Sequence, residues 1–332
     1  MKAEDRARLP EAYRQLLHDP GAAGAARLAW ARRMKDAPGV TFDLRDVDKR
    51  LIPFHPGDLG VFVGRPGHGK TSLMARLART EANAIVKRGR TQSEAVVYVT
   101  WEQVIEEIDS LFYTDTEYSA TDIVRGHVDL DKVELDALRR VNVPVWLVGI
   151  SSERHDPAGN LPRMTLDVIW KLCDSMEAEY GRKPTLICAD YLQLIPVERA
   201  RDIVSEVTFA SGMLKELAMR CACPVLAGVQ ARQEVDDNKL PIPGTRDGQW
   251  ASRTLQTCDK WFSIMRPWLY DQFRTKGLIT IGGQTFDVAE NLFLMVKFKE
   301  RFNKARDLFP LFFDMEYLRL EELTAQNAPP NF

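Results

Sequence analysis

A glycine-rich segment between an apolar run and a helical pattern constrains the fold of this chain more than any other feature. Gly64 to Thr71, which reads GRPGHGKT, matches the pattern G-x-x-x-x-G-K-[ST]. The apolar run Leu59 to Val63 precedes it, and Leu73, Leu77 and Ile85 follow it at helical spacing. A strand, a glycine-rich loop and a helix in this order are the context in which the pattern forms a phosphate-binding loop. The sequence therefore predicts a nucleotide site at this point of the chain.

The residue types of this loop suit the phosphates of a nucleotide. Glycines allow backbone N–H groups to converge on phosphate oxygens at the amino end of a helix, where the helix dipole favours negative charge. Lys70 would reach the β- and γ-phosphates, and Thr71 would hold Mg²⁺. We therefore expect ATP and Mg²⁺ as cofactors. The residues expected to contact the nucleotide are Gly64, Gly67, Gly69, Lys70, Thr71 and Ser72.

Short apolar runs alternate with helical patterns through most of the chain. Such alternation is typical of an α/β fold in which a mainly parallel sheet carries helices on both faces. After Lys260 the pattern predicts late antiparallel strands without helices, and a hairpin over Thr275 to Phe286. The clearest predicted helices are Leu166 to Tyr180 and Ile203 to Arg220. The predicted strands are Leu59 to Val63, Val96 to Thr100, Val145 to Val148, Leu186 to Ala189, Val225 to Val229, Trp261 to Met265, Asn291 to Phe298 and Leu311 to Phe313.

The amino-terminal residues differ in composition from the rest of the chain. Glu11 to His18 and Ala22 to Met34 are rich in Ala, Leu, Arg and Gln, and they predict two short helices. Their apolar surface is too small for a separate core, so they would pack on the body, pack on a neighbouring subunit or stay mobile. We therefore divide the chain into a helical extension over residues 1–38 and one domain over residues 39–332.

Composition and charge exclude several classes of protein. The 332 residues carry 45 Lys and Arg against 47 Asp and Glu, a net charge of −2, so any grip on a polyanion has to come from local basic loops. Five cysteines are too few for a disulfide scaffold and lack the usual spacing of a zinc site, which indicates reduced, buried thiols. No apolar run approaches the roughly 20 residues that span a bilayer, and the polar start lacks a signal peptide's apolar stretch. A soluble, cytoplasmic protein is expected.

Two acidic residues follow predicted strands at points where a nucleotide site needs them. One apolar strand ends in Asp190, which would help to hold Mg²⁺. Glu102 directly follows another strand, where a carboxylate could take a proton from an attacking water. Three nearby acids, Glu106, Glu107 and Asp109, leave a second interpretation open, in which these carboxylates are solvated residues at the start of a helix.

Several motifs together resemble those of the DnaB-type replicative helicases. Gly64 to Leu73 resembles their phosphate loop, Asp190 to Leu194 their Walker B segment, and Val99 to Glu102 the strand that ends in their catalytic glutamate. Segments that resemble further parts of the family, in the same order along the chain, are Gly39 to Leu44, Lys215 to Leu217, Cys223 to Gln230, Asp247 to Ile264 and Lys297 to Asn303. The resemblance extends from about Gly39 to Leu320.

The resemblance implies a RecA-like P-loop ATPase core, a ring of six subunits with ATP at each interface, and translocation along single-stranded DNA with 5′-to-3′ polarity. It identifies Gln230 as a phosphate-sensing residue, and Lys299 and Arg301 as a basic element that reaches a neighbour's γ-phosphate. In the family, a helix before the core docks on the adjacent subunit, and Ala22 to Met34 is the matching segment. The expected catalytic residues are Lys70, Glu102, Gln230, Lys299 and Arg301.

The chain departs from the family pattern mainly in the parts expected to meet nucleic acid. Gln249 and Trp250 replace an Arg and a Glu, and the hairpin near Gly282 is an insertion. Within the phosphate loop, His68 stands where the family usually has a small or sulfur-containing residue. The residues before Gly39 are too few for the family's primase-binding helical N-terminal domain, so coupling to primase is not expected.

Two loops are expected to face the channel of such a ring. They are Pro196 to Asp202 and Glu234 to Trp250. Their candidate contacts with single-stranded DNA are Arg199, Arg201, Lys239 and Arg246. Acidic neighbours dilute this positive charge, so an ordinary solvated loop is the alternative interpretation.

Two functional hypotheses follow from these features. The first is an ATP-driven ring motor that translocates on or unwinds DNA. The second is a nucleotide-gated assembly switch that uses the same ATPase core to recruit partners and unwinds nothing. Both need the phosphate loop, Asp190 and Glu102, but only a motor requires every subunit to hold the strand. A strand-exchange filament is less favoured, because the second half of the chain resembles the helicase branch.

Overall fold

The computed structural model describes residues 17–36, 39–112, 119–153, 161–197, 203–245, 247, 252–303 and 306–323. The chain divides into two units, residues 1–39 and residues 40–332. In the first unit, helix α1 (Pro20–Asp36) confirms the helix predicted over Ala22 to Met34. Most of the other predicted helix, Glu11 to His18, lies outside the described residues.

A nine-stranded sheet organises the second unit. Its strands are β1 (Leu59–Gly64), β2 (Glu94–Thr100), β3 (Val145–Val148), β4 (Lys183–Asp190), β5 (Val225–Gln230), β6 (Lys260–Met265), β9 (Leu292–Glu300), β10 (Asp307–Asp314) and β11 (Arg319–Glu322). They lie in the order β11-β10-β9-β6-β1-β5-β4-β2-β3. A separate hairpin of β7 (Leu278–Ile281) and β8 (Gln284–Asp287) confirms the hairpin predicted in this region.

The strand directions confirm the predicted fold class and correct one expectation. The six strands from β6 to β3 run parallel, whereas β9, β10 and β11 are antiparallel to their neighbours. The expectation that Trp261 to Met265 is antiparallel was wrong in part: it forms β6, which is parallel to β1 and antiparallel only to β9. The reason is the long connection from β5, since a crossover of this length returns the chain in its original direction.

Helices cover both faces of the sheet. Those of the second unit are α2 (Arg45–Arg50), α3 (Lys70–Lys87), α4 (Ile105–Ser110), α5 (Ala120–Arg125), α6 (Leu130–Arg140), α7 (Leu166–Tyr180), α8 (Ile203–Arg220), α9 (Ser252–Thr257) and α10 (Asp271–Lys276). Helix α10 contradicts the expectation that helices stop after Lys260. It has six residues, buries Phe273 and ends at Gly277 with φ of +67°, so it is too short to show a helical period.

The core lies in two layers, one on each face of the sheet. Side chains alternate along β1, so Phe62 packs on one face with α3, whereas Val61 and Val63 pack on the other with α7 and α8. All six residues of β1 are buried. This double burial explains why the strand reads as a continuous apolar run. Among the described residues, no helix combines the length and apolar character needed to cross a membrane.

A cluster of four phenylalanines leaves space for glycine alone at one position of β1. Phe42, Phe54, Phe62 and Phe262 pack with ring centroids 5.4 to 6.3 Å apart. A Cβ atom on Gly60 would lie 2.4 Å from Cε1 of Phe54 and 2.8 Å from a methyl carbon of the neighbouring strand β5. Both neighbours are buried in the core, so neither can withdraw into solvent.

We therefore expect Gly60→Ala to lower the free energy of unfolding by about 1–3 kcal/mol, because a methyl group is forced into a filled core. Urea titration followed by circular dichroism measures the change. The matched control is Gly212→Ala in α8, where an added Cβ meets nothing within 4 Å. The control should stabilise the protein by about 0.5–1 kcal/mol. Equal stability of the two variants would contradict this account of β1.

Candidate nucleotide site

The predicted phosphate loop connects the carboxyl end of β1 to the start of α3. Gly67 and Gly69 have φ of +76° and +83°, in the left-handed region that favours glycine. A Cβ atom on Gly69 would also lie 2.5 Å from Cε of Met315. The loop conformation therefore favours glycine at Gly69 through its backbone angle, and a Cβ atom there would also require the flexible end of the Met315 side chain to move.

Lys70 lies inside the loop that precedes it. Its Nζ donates to the carbonyl oxygens of Gly64 and Arg65, each at 3.0 Å. Burial lowers the pKa of Lys70 to about 8, although the carboxylates of Asp190 and Glu102 act in the opposite direction. The ammonium group is thus largely removed from water and held by two neutral carbonyls, an arrangement that favours an anionic ligand close by.

Asp190 ends β4 and is 2% exposed. The Tyr98 hydroxyl donates to its Oδ2 at 3.0 Å, whereas Oδ1 is buried without a hydrogen-bond partner. Burial raises the pKa of Asp190, and the hydroxyls of Thr71 and Tyr98 oppose that rise. A buried carboxylate oxygen with no partner normally has an explanation such as a bound ion.

The donor set at Asp190 and Thr71 fits Mg²⁺. Carboxylate and hydroxyl oxygens are hard ligands, and Mg²⁺ is commonly held by one or two protein groups together with substrate phosphates and water. Within the described parts of the chain, no three His, Cys, Asp or Glu side chains form a metal-binding cluster. The ion that the loop predicts would be held by the hydroxyl of Thr71 and the carboxylate of Asp190.

The structure separates the four acids that follow β2. Glu102 and Glu107 line the cavity beside the phosphate loop. Glu106 accepts a hydrogen bond from the backbone N–H of Ser152, and Asp109 forms an ion pair with an arginine of α6 at 2.8 Å. Glu106 and Asp109 are thus held by other partners, whereas Glu102 and Glu107 are both exposed, and for these two the alternative of solvated residues at a helix start stays open. Glu102 is exposed towards the cavity, and Glu107 is the remaining competitor for its role.

A cavity of about 400 Å³ brings the predicted cis residues together. It opens at the carboxyl ends of the parallel strands, the edge at which α/β proteins bind ligands. Its predicted members are Gly67, Gly69, Lys70, Thr71, Ser72, Glu102, Asp190 and Gln230. Gly64 contributes the carbonyl that holds Lys70.

Gln230 and Gln193 connect the neighbouring strands β5 and β4 beside this cavity. The side chain of Gln193 donates to the carbonyl of Gln230 at 3.1 Å and accepts from its backbone N–H at 3.2 Å. Gln193 lies three residues before the first segment predicted to face a channel, and Gln230 lies four residues before the second. Two direct hydrogen bonds therefore join the chain just before one segment to the chain just before the other.

Two residues at the site were missed by sequence reasoning. Tyr98 lies in a mainly apolar strand, and a tyrosine buried there needs a hydrogen-bond partner for its hydroxyl group. That need is the signal by which the sequence could have indicated Tyr98. Met315 lies in the turn between β10 and β11 and contacts the loop only because the sheet brings that turn back. No local sequence pattern marks Met315.

His68, the residue that departs from the resembled family, is buried and anchors the loop. Its Nδ1 accepts from the backbone N–H of Arg266 at 3.0 Å, and burial lowers its pKa to about 4. Next to it, Arg65 forms an ion pair with Asp236 at 2.9 Å, and the Tyr270 hydroxyl donates to the same carboxylate at 2.9 Å. These contacts tie the loop to the segments that follow β5 and β6.

Lys299 and Arg301 lie at the opposite end of the sheet from the phosphate loop, where the parallel strands begin. They belong to the end of β9, where Glu300 pairs with Lys260 at the amino end of β6. Strand β1, parallel to β6, has six residues, so roughly 20 Å of sheet separates this end from the phosphate loop. Within one subunit, the structure does not bring Lys299 and Arg301 into the cavity.

The predicted DNA contacts are mostly beyond what the structure describes. Lys239 is exposed in the segment after β5. Arg199, Arg201 and Arg246 lie outside the described residues, as does Trp250. The two segments that carry these residues begin at the carboxyl ends of β4 and β5, which are neighbours in the sheet. Their assignment to DNA stays a prediction.

Comparisons with known proteins agree with this geometry. The family model of the DnaB-like helicase C-terminal domain matches residues 39–275. The replicative DNA helicase DnaB of Rickettsia bellii is 26% identical over 211 residues, which are 61% of this chain and 40% of that protein. The DnaB protein of Mycoplasma genitalium is 24% identical over 234 residues, 69% of this chain and 46% of that protein. The chain thus spans less than half the length of these relatives.

Solved structures show the same fold. An isolated ATPase domain of known structure superposes with a TM-score of 0.72 at 18% identity, covering 92% of this chain and 100% of that one. A DnaB-like replicative helicase, solved in a study of its interactions with primase, gives a TM-score of 0.66 at 18% identity and covers 86% of this chain and 64% of that one. Because the family model covers well over half of the residues, the chain belongs to the family of the DnaB-like helicase C-terminal domain.

Proposed function

We propose that this protein is an ATP-hydrolysing ring motor that moves along single-stranded DNA. The observation that carries the proposal is the convergence of a partly buried lysine, an unpartnered buried carboxylate oxygen and an exposed glutamate around one cavity at the carboxyl ends of the parallel strands. Membership of a helicase-domain family favours a motor over a switch. A six-membered ring in the cytoplasm is part of the proposal.

The residues of one subunit divide the work of hydrolysis. Lys70 exchanges its two carbonyl partners for the β- and γ-phosphates, and its charge offsets theirs. Thr71 and Asp190 hold Mg²⁺, which neutralises charge on the phosphates when it is bound. Glu102 accepts a proton from the attacking water, since it is exposed and lines the cavity beside the phosphate loop.

The contacts of Gln230 support a link between the site and a bound strand. Gln230 lines the cavity, and its backbone N–H and carbonyl are both hydrogen-bonded to the side chain of Gln193. The ion pair of Arg65 with Asp236 adds a second link from the phosphate loop to the segment after β5. A γ-phosphate that moves Gln230 would therefore move the starts of both proposed DNA loops.

The position of Lys299 and Arg301 supports action on a neighbouring subunit. One subunit cannot bring them to its own cavity, because they lie at the opposite edge of the sheet. A basic side chain supplied from outside stabilises the charge that develops as the phosphoryl group leaves. The cavity is then complete only in an assembly, which is why the proposal includes a ring.

We expect Glu102→Gln to bind nucleotide like the wild type and to lose turnover by about 10²–10⁴, because only proton transfer from water is removed. Lys70→Ala should instead weaken nucleotide binding. A fluorescent ATP analogue measures binding, and phosphate release measures turnover. The matched control is Glu107→Gln, which alters a second carboxylate of the same cavity and should keep most of the rate. A Glu107→Gln variant that is inactive beside an active Glu102→Gln variant would transfer the role to Glu107.

Single-stranded DNA is expected to stimulate hydrolysis and to bind less tightly as salt increases from about 50 to about 200 mM. Alanine at Arg199, Arg201, Lys239 and Arg246 together should weaken binding and reduce the salt dependence by up to about 3 in the slope of log K against log salt. Fluorescence anisotropy with a non-hydrolysable ATP analogue measures both quantities.

The control for this experiment removes four positive charges at exposed positions outside the two proposed DNA loops. They are Lys87, Arg139, Lys171 and Lys183. Binding by this control should stay close to that of the wild type. If the wild type binds no strand even at the lowest salt, the motor is wrong and the nucleotide-gated switch becomes the better function.

The shared site predicts complementation between two inactive variants. Lys70→Ala and Arg301→Ala should each lose most ATPase activity when pure. Mixed rings pair an intact phosphate loop with an intact basic element at about a quarter of randomly formed interfaces, so roughly that fraction of activity should return. Native mass spectrometry confirms that subunits exchange. Exchanged rings that stay inactive, or full activity of Arg301→Ala alone, would show that the site is not shared.

A further inference from the structure

We propose that Asp259 is a positioning residue that orients Arg301 towards the nucleotide of a neighbouring subunit. The proposal rests on the shared site described above and concerns the subunit that provides the basic side chain. Asp259 stands immediately before β6, at the sheet edge opposite the phosphate loop. It is 3% exposed.

The carboxylate of Asp259 is held on both of its oxygens. Oδ1 lies 3.1 Å from Nε of Arg301. Oδ2 accepts from the Leu59 backbone N–H at 2.8 Å and from Lys215 Nζ at 2.6 Å. The backbones add two bonds, from Asp259 N–H to the Leu59 carbonyl at 2.8 Å and from Arg301 N–H to the Asp259 carbonyl at 3.1 Å. Asp259 is therefore a fixed point, bonded to β1, α8 and the end of β9.

The partner of this fixed point remains accessible. The side chain of Arg301 is 51% exposed, while that of Asp259 is 4% exposed. The ion pair occupies the Nε side of the guanidinium, and an arginine offers five N–H donors in a planar fork. Several donors are thus left to meet an anion from outside. Asp259 limits the rotation of a long side chain without covering its end.

Charge balance does not require this ion pair. Lys215 already neutralises Asp259 at 2.6 Å, and an ion pair with a half-exposed arginine adds little to the stability of a fold. Lys299 is anchored beside it, since its Nζ donates to the carbonyl of Gln256 at 3.3 Å and also to that of Cys258. Both predicted basic residues are therefore held by the short segment that Asp259 ends. The ion pair therefore fixes the orientation of the Arg301 side chain and contributes little to the stability of the fold.

The test is a directional complementation with Asp259→Asn. Alone, this variant should lose about 10–100-fold in kcat, the range that a displaced catalytic group produces, with an unchanged KM for ATP. Mixed with Lys70→Ala subunits, which keep an intact Arg301, it should recover activity, because its own phosphate loop is intact. Mixed with Arg301→Ala subunits it should stay inactive, because neither parent supplies an oriented arginine.

Two further variants separate positioning from folding. Lys215→Met removes the other cation of Asp259 and should keep kcat, since Arg301 is still held. The double variant Asp259→Asn with Lys215→Met leaves no unpaired lysine behind, so it should fold and show the same one-sided complementation. Thermal melting and binding of a fluorescent ATP analogue establish that each variant is folded with an intact phosphate loop.

The outcomes are distinct. A kcat of Asp259→Asn close to the wild-type value, recovery with Arg301→Ala subunits, or no recovery with either partner would each overturn the role of Asp259. The mixture of Lys70→Ala with Arg301→Ala is run in parallel as the reference. If the reference mixture regains no activity, the shared site is wrong, and so is the role of Asp259 that rests on it. If the reference succeeds, any failure belongs to Asp259 alone.

Discussion

Burial of β1 on both faces is the constraint on which the rest of the structure depends. The strand has to be apolar throughout, and Gly60 has to lack a side chain because Phe54 occupies the space above it. A strand held in this way ends at a defined point. The glycine-rich turn that follows therefore presents its backbone, and Lys70, at a fixed place on the sheet edge. The neighbouring strands deliver Asp190 and Gln230 to the same edge because they run parallel to it.

Charge without full compensation characterises the site. Lys70 is partly buried and is held by two neutral carbonyls, and one oxygen of Asp190 has no partner. Each of these costs stability in the empty protein, since a desolvated charge lacks the interactions that it would have in water. An anion and a cation that arrive together remove both costs. The site is thus organised for the proposed nucleotide and metal before either binds, and the hydrogen bond that Tyr98 donates and the one that His68 accepts hold that organisation in place.

Patterns within short stretches of sequence predicted the structural features that depend on neighbouring residues alone. The phosphate loop, the strands and the helices Leu166–Tyr180 and Ile203–Arg220 follow from periodicity and glycine placement within short windows. The direction of β6 was not predictable from a short window, because it depends on a long crossover connection. The helix Asp271–Lys276 was not predictable either, because six residues are too few to show a helical repeat of apolar residues. Met315 reaches the site through a turn between two late strands, so no short window contains its signal. The position of Arg301 likewise required the order of strands in the sheet.

In the proposed ring, β1 belongs to two nucleotide sites at once. Its carboxyl end leads into the phosphate loop of its own subunit, and its amino end is bonded to the residue that holds Arg301 for the next site. A buried six-residue strand behaves as a short strut with little freedom to bend. In the proposed ring, a displacement of this strand at its phosphate-loop end would therefore reach the arginine through Asp259. Each strand of this kind would then couple hydrolysis in its own subunit to the position of the basic residue that serves the neighbouring site.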